Sequence, residues 1–404
     1  MTDTLLIVGG GFGQLPAIHT ARKLGVRTLV VDRDPQALGM SLADVALPID
    51  VLDRDGVVAA ARAYGITGAM TMQSDIGVPT VGAVIDALGL PGNGLAVAER
   101  CSSKIATRRS LAERGVPQPA FAVVTCPEQA RAAARRIGLP CIVKAPDSSG
   151  SRGVVKVARM EQVEPAMAEA RCHTRGREIL VEEYIAGTEL GAQAFSIDGR
   201  CAKVLVHDDL LSEPPYMIPI AHAFPATIDA EALVRVEQAV EVCVEALGIV
   251  SGPSNIDLII DSEGIPRIIE VGARIGATCL PELVFHHTGI DWTAASILAA
   301  LGRPVNLEQQ HEYACAAFIL EAPASGTFRG HLVPADQYND SDILEWEVTA
   351  RVGERVACLT KGTDRIGKVV ARGRDPRAAL ARADSFRRAV CFDIETEPTA
   401  GTLS

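Results

Sequence analysis

Asn255-Ile256-Asp257-Leu258-Ile259-Ile260, then Asp261-Ser262-Glu263-Gly264, then Ile265-Pro266-Arg267-Ile268-Ile269-Glu270-Val271 reads as strand, tight turn and strand. Two β-branched runs broken by Asp, Ser and Gly make an antiparallel hairpin. With Ile260 opposite Ile265, Asp257 faces Ile268 and Glu270 becomes a diagonal neighbour on the same face, roughly 7–8 Å away at the backbone. A one-residue slip would send the two carboxylates to opposite faces. Two carboxylates on one face of otherwise apolar strands repel unless a cation lies between them. Metal ligation and water-exposed edge carboxylates are both open on these residues alone. Arg274 follows in Gly272-Ala273-Arg274-Ile275-Gly276. Its planar fork suits a phosphate or carboxylate substrate.

Other constellations lie upstream. Gly9-Gly10-Gly11-Phe12-Gly13-Gln14 follows a strand and opens a helix, where backbone amides meet an anion. The dinucleotide fingerprint fails there, because the sixth position is Gln14 counted from Gly9 and Pro16 counted from Gly11. Lys144 lies in the strand-like run Cys141 to Ala145, which precedes the small-residue loop Ser148-Ser149-Gly150-Ser151-Arg152-Gly153. A lysine inside an apolar strand is costly unless its ammonium has a partner or reaches water. The loop's amides can fold over phosphates, although no Walker sequence ends it. Glu182-Glu183-Tyr184-Ile185 is an extended connector suited to a purine edge, and Glu189 beyond it suits a ribose, whose hydroxyls a carboxylate accepts. His286-His287 is a weak metal candidate, since adjacent side chains do not face one ion.

The rest of the chain sets limits. Its 404 residues exceed one ordinary core, so two or three domains are expected. The chain is 48% hydrophobic and 22% charged, which excludes disorder, and only 4% aromatic, so its cores are aliphatic. A net charge of −11 argues against wrapping nucleic acid. No apolar run is long enough to span a bilayer, and the start lacks the basic region of a signal peptide. The ten cysteines are scattered without a Cys-x-x-Cys, as expected of reduced thiols in a cytoplasmic protein. Strand and helix alternate through the first 95 or so residues, which means a parallel sheet covered on both faces.

Taken in order, these segments resemble the ATP-grasp superfamily, specifically its carboxylate–amine ligases of the amino-acid ligase type. The resemblance implies an α/β protein of ATP-grasp fold. Residues 1–100 would be a Rossmann-like parallel-sheet domain, and 101–187 a mobile lid subdomain with its lead-in helix. Residues 188–330 would be a mixed α+β catalytic subdomain, and 331–404 a C-terminal α+β region. In that pattern Lys104, in Ser103-Lys104-Ile105-Ala106-Thr107-Arg108, looks like the first phosphate lysine, followed by the step Pro117-Gln118-Pro119. Lys144 looks like the second, with Ser149, Gly150, Ser151 and Gly153 in the loop over the phosphates. Glu182, Glu183, Tyr184 and Ile185 match the adenine-binding hinge and Glu189 the ribose carboxylate. Asp257 and Glu270 match the metal ligands. The family often has Glu-x-Asn-x-Arg at the second of these; here Gly272 replaces the Asn, which removes one metal-ligand candidate.

The resemblance implies ATP and Mg²⁺, or Mn²⁺, as cofactors. The activity implied is ATP-dependent ligation of a carboxylate to an amine, with Arg274 and Lys144 as catalytic residues. Small-molecule acids and amines are the expected partners, with no nucleic acid or membrane, and a homodimer is left open. Gly11, Gln14, Ser74, Asp75, His222 and Arg274 are the candidates for substrate contact, with Pro215 to His222 as a candidate acceptor wall. Two other readings stay open: an NAD(P)-binding oxidoreductase resting on Gly9 to Gly13 and Asp32, and a nucleotide-binding protein without chemistry.

Overall fold

The computed structural model describes residues 3–148, 150, 152–212 and 218–396. Ser149 and Ser151, assigned above to the phosphate loop, and Pro215 to Met217 of the candidate acceptor wall lie outside the described residues. The chain forms two compact units: residues 1–206, 228–277 and 290–309, and residues 207–227, 278–289 and 310–404. No helix among the described residues is long and apolar enough to cross a membrane.

The first unit opens with β1 (Thr4–Val8), α1 (Leu15–Lys23), β2 (Arg27–Val31), β3 (Val45–Leu47), α2 (Arg54–Ala63), β4 (Gly68–Met70) and α3 (Val78–Leu88). The strands form a parallel sheet in the order β3-β2-β1-β4. Leu5, Leu6 and Ile7 are wholly buried, as a strand covered on both faces requires. Next come α4 (Leu95–Ser102) and α5 (Lys104–Glu113), the latter capped by Ser103, whose side chain accepts from the Ala106 amide.

A second sheet follows, built from β5 (Phe121–Val124), β6 (Cys141–Lys144), β7 (Val154–Val157) and β8 (Ile179–Glu183), with α6 (Pro127–Ile137) and α7 (Val163–Cys172) between them. Its order is β5-β8-β6-β7, all antiparallel. Val143, Val157 and Val181 pack there on Ala130, Ala133, Ala134, Ala166 and Met167. This is the aliphatic core that scarce aromatics dictate; each fully buried valine or methionine contributes about 1.5–3 kcal/mol.

Strand β9 (Gly187–Ile197) starts a third sheet, and β10 (Arg200–Leu211) begins in the first unit and ends in the second. In the second unit the end of β10 pairs with β11 (Pro219–Phe224). Helix α8 (Ala230–Leu247) then returns to the first unit, stopped by Gly248 at φ 72°, a left-handed turn that suits glycine. Strands β12 (Gly252–Asp261) and β13 (Pro266–Gly272) complete the antiparallel order β9-β12-β13.

The second unit also holds α9 (Leu280–Thr288), whereas α10 (Trp292–Ala300) belongs to the first. The remaining elements of the second unit are β14 (Ala314–Leu320), β15 (Gly326–Leu332), α11 (Ala335–Tyr338), β16 (Ile343–Val348), β17 (Arg355–Val356), β18 (Gly367–Gly373), α12 (Pro376–Ala389) and β19 (Cys391–Glu395). They give the orders β11-β14-β18-β16 and β17-β15-β19. Phe318, Phe328 and Phe386 lie in the core between them.

Candidate active site

The hairpin β12–β13 departs from the expected register in two one-residue steps of the same sense, which together return the carboxylates to one face. Ile260 faces Pro266 rather than Ile265, the one-residue slip that would separate the carboxylates. A β-bulge then intervenes: Leu258 faces Ile268, Asp257 faces Glu270, and Ile269 has no opposite residue. Asp257 and Glu270 are therefore directly opposed, closer than the diagonal expected. Leu258 and Ile268 go to the core, while the two carboxylates share the other, half-buried face. Asn255 Nδ2 donates to Asp257 Oδ1 at 3.1 Å and is itself held by Gln193 Nε2 at 2.7 Å.

Cations surround this face. Lys104 Nζ donates to Glu270 Oε1 at 2.8 Å and to the Ser148 carbonyl at 2.6 Å. Burial would lower the pKa of this lysine, but Glu270 beside it raises it overall. Arg274 Nε and Nη2 donate to Asp75 Oδ1 and Oδ2 at 2.8 and 3.0 Å. The fork expected to be free for substrate is thus filled along one edge. Gly272 makes room for this: a Cβ there would lie 2.8 Å from Asp75 Oδ1 and 3.1 Å from Arg274 Cζ. Ser74 stands just before Asp75, at the N-cap of a single 3₁₀ turn.

Lys144 and Glu182 form a buried ion pair, Nζ to Oε2 2.7 Å. Arg108 closes it from the other side, with Nε 2.6 Å from Glu182 Oε1 and Nη2 3.3 Å from Oε2. Burial alone would raise the Glu182 carboxyl, but Arg108 and then Lys144 bring it down to about 2. Burial pushes Lys144 down, an effect that Glu182 opposes. The Glu182 side chain is turned inward onto two cations, so a purine at this connector would meet its backbone. Glu183 is tied back as well, its carboxylate accepting from the Ala120 amide at 3.1 Å. The connector proper begins at Tyr184, whose ring lies 3.5 Å beneath Lys156 Nζ, and continues with Ile185. Glu189 is exposed on β9, opposite Ile259. In the loop, Gly150 and Gly153 have φ of 66° and 67°, and a Cβ on Gly153 would lie 2.7 Å from His173 Cβ.

Gln14, a candidate for substrate contact, also faces inward. It is 4% exposed, and its carboxamide clamps the Met72 backbone, donating to the carbonyl and accepting from the amide. Gly11 is exposed, with nothing within 4 Å of an added Cβ. Asp32, which supported the oxidoreductase reading, accepts from the Gly10 amide at 2.7 Å and from the Asp34 amide at 2.9 Å. That carboxylate braces the glycine loop.

His222, the acceptor candidate in the second unit, is 4% exposed and lies directly opposite Asp209. Asp209 Oδ1 is 2.5 Å from His222 Nδ1 and 2.8 Å from His207 Nδ1. The donor types would suit a divalent ion. The separations are those of hydrogen bonds, however, and fall short of the roughly 3.3 Å that a tetrahedral ion with bonds of about 2.0–2.1 Å imposes. His222 and Asp209 are hydrogen-bonded, and His207 forms an ion-pair contact with the same carboxylate oxygen. His286 and His287 point apart, one to Glu345 and one to the Tyr313 carbonyl.

The donor set on the β12–β13 face is different in kind: two carboxylates, all oxygen, beside two cationic side chains. It fits a hard cation of the Mg²⁺ class. Sequence reasoning missed Arg108, Asn255 and Gln193. Arg108 had a signal: it lies one helical turn beyond Lys104, so both project from the same face of α5.

Comparison with known proteins bears on the family and the fold. Residues 137–282 match the family model of the ATP-grasp domain, and residues 318–395 that of the L-amino acid ligase C-terminal domain 2. A D-alanine–D-alanine ligase from Desulforudis audaxviator is 31% identical over 268 residues, covering 59% of this chain and 85% of the relative. The structure of phosphoribosylglycinamide synthetase from Anaerococcus prevotii superposes with TM-score 0.82 at 25% identity, covering 98% of this chain and 100% of that one. An L-amino acid ligase from Bacillus licheniformis gives TM-score 0.83 at 21% identity, covering 98% and 99%.

Proposed function

Because the chain belongs to the ATP-grasp ligases, ATP-using enzymes that join carboxylates to amines, we propose that it makes an amide or peptide bond through an acylphosphate, releasing ADP and phosphate. The observation that carries this reading is the convergence of Asp257, Glu270, Lys104 and Arg274 on one strand face.

A carboxylate resists attack by an amine because an oxide is a very poor leaving group. In the proposed reaction a carboxylate oxygen takes the γ-phosphorus, the bond to the β-phosphate oxygen breaks, and ADP leaves. The amine nitrogen then bonds to the acyl carbon, the carbon–oxygen bond to phosphate breaks, and the amine gives up a proton. The protein's share is positioning and charge neutralisation. Asp257 and Glu270 would hold Mg²⁺, with Mn²⁺ the nearest substitute, and the bound ion would offset phosphate charge. Lys104 and Lys144 supply cationic donors for the nucleotide phosphates. The end-on edge of Arg274 receives the transferred phosphoryl group. The connector at Tyr184 and Ile185 takes the purine, and Glu189 the ribose. Gly150 and Gly153 belong to the loop that shields the acylphosphate from water.

Amino acids are the substrate class that this reading favours, since relatives named for D-alanine and L-amino acid ligation match this chain. The test is phosphate release from Mg·ATP across pairs of amino acids and small acids. A pair-dependent signal with a new amide in the mass spectrum supports it; phosphate release that no pair stimulates removes it.

A further inference from the structure

We infer that Arg108 positions the two metal-ligand carboxylates by holding the β-bulge that puts them on one face. This rests on the ligase reading above. Without the bulge, the register running from Ile260 opposite Pro266 would set Asp257 against Ile269 and Glu270 against Ile256. Neighbouring residues of a strand point to opposite faces, so Asp257 and Glu270 would then be separated by the sheet. The bulge alone restores them to one side, and it breaks the strand ladder where it does so.

Arg108 is the side chain that meets this break. Its Nη1 donates to the Ile268 carbonyl at 3.0 Å and its Nη2 to the Ile269 carbonyl at 2.7 Å. Those carbonyls belong to the skipped residue, Ile269, and to the residue just before it. The Ile268 amide is taken by the Pro117 carbonyl at 3.0 Å, and Gln118 Nε2 donates to the Arg108 carbonyl at 2.9 Å. The Pro117-Gln118-Pro119 step therefore splints both partners of the contact. Arg108 is 1% exposed, so its charge persists there only because Glu182 compensates it. Through Glu182 the same guanidinium fixes Lys144. One buried residue thereby ties the placement of the metal pair to that of a phosphate lysine. A planar five-donor fork suits this position: an ammonium, with its point-like charge, cannot reach two carbonyls and a carboxylate edge together.

The test is Arg108→Lys, which keeps the charge opposite Glu182 and loses the fork. Arg109→Lys, on the exposed neighbour, serves as control. The expected result is a wild-type circular dichroism spectrum and metal-free ATP affinity within about threefold of wild type, with the Mg²⁺ concentration for half-maximal turnover raised about tenfold or more. Excess Mg²⁺ should then restore much of the turnover, a split that a general loss of stability would not give. Wild-type Mg²⁺ dependence in a folded Arg108→Lys protein overturns the inference. If that variant does not fold, Arg108→Gln, which keeps one donor for the Ile269 carbonyl, replaces it with the same readout. Failure of both to fold would make Arg108 a stability residue and would also overturn it. Absence of any Mg²⁺-dependent ATP turnover in the wild type would sink the ligase reading itself, which separates the two failures.

Discussion

Arg274 and Asp75 meet side-on: Nε and Nη2 donate to the two oxygens of one carboxylate at 2.8 and 3.0 Å, across 199 positions of sequence. A guanidinium has a second donor edge, made by Nη1 and Nη2, and this contact leaves most of it for an anion. The Ile275 carbonyl, 3.3 Å from Nη1, adds a further hold. Asp75→Asn should fold and should lose about tenfold to a hundredfold in kcat/KM for the acid substrate, the worth of a charge-assisted hydrogen bond. Gly272→Ala should show the same loss by displacing the pair sterically. Steady-state kinetics on both variants checks this; unchanged values would make the ion pair irrelevant to turnover.

Lys144→Ala should weaken ATP binding by about 1.5–3 kcal/mol, the range for a charge-assisted hydrogen bond to a charged group. Calorimetry is the measurement. Unchanged affinity would mean that the Lys144–Glu182 pair serves only the fold.

Acid should act through Glu182. Its folded pKa, held at about 2 by Arg108 and Lys144 against the opposing effect of burial, lies below the ordinary 4.5. A depressed carboxyl contributes stability above its unfolded pKa and loses it as pH falls through the folded one. The stability difference between wild type and Glu182→Gln should therefore be largest above pH 4.5 and shrink between 4.5 and about 2. Denaturant melts across that window test it; a difference that grows toward low pH would contradict the ionised pair.

Thiol labelling should divide the cysteines. Burial pushes Cys101, Cys279 and Cys315 up to about 12, whereas Cys172, Cys358 and Cys391 are exposed. Brief native alkylation followed by mass spectrometry should label the exposed three and spare the buried three. Equal labelling would contradict the packing around the buried thiols.

Much of the fold was legible because its signals are local. The helix Ala230–Leu247 and its stop at Gly248 follow from apolar periodicity and a glycine. Lys144 and the two carboxylates stand out because charge inside an apolar run needs a partner, whereas Lys104 is marked only by the family resemblance. What stayed hidden depends on contacts between distant segments. Nothing in Arg267-Ile268-Ile269-Glu270 says which residue the ladder skips, since two isoleucines in succession suit either register. Of the adjacent Glu182 and Glu183, pleating sends one inward, and only the presence of Arg108 beneath β8 tells which. The partnership of Arg274 with Asp75 has no local trace at all.

The most direct measurement follows the oxygen atoms. A carboxylate substrate labelled with ¹⁸O, incubated with Mg·ATP and the amine partner found in the screen, is analysed by ³¹P NMR of the products. The account predicts ADP and inorganic phosphate carrying one ¹⁸O from the carboxylate, in step with amide formed, and loss of that signal in Glu270→Gln. Release of AMP with the label in AMP, or phosphate free of label, would contradict it.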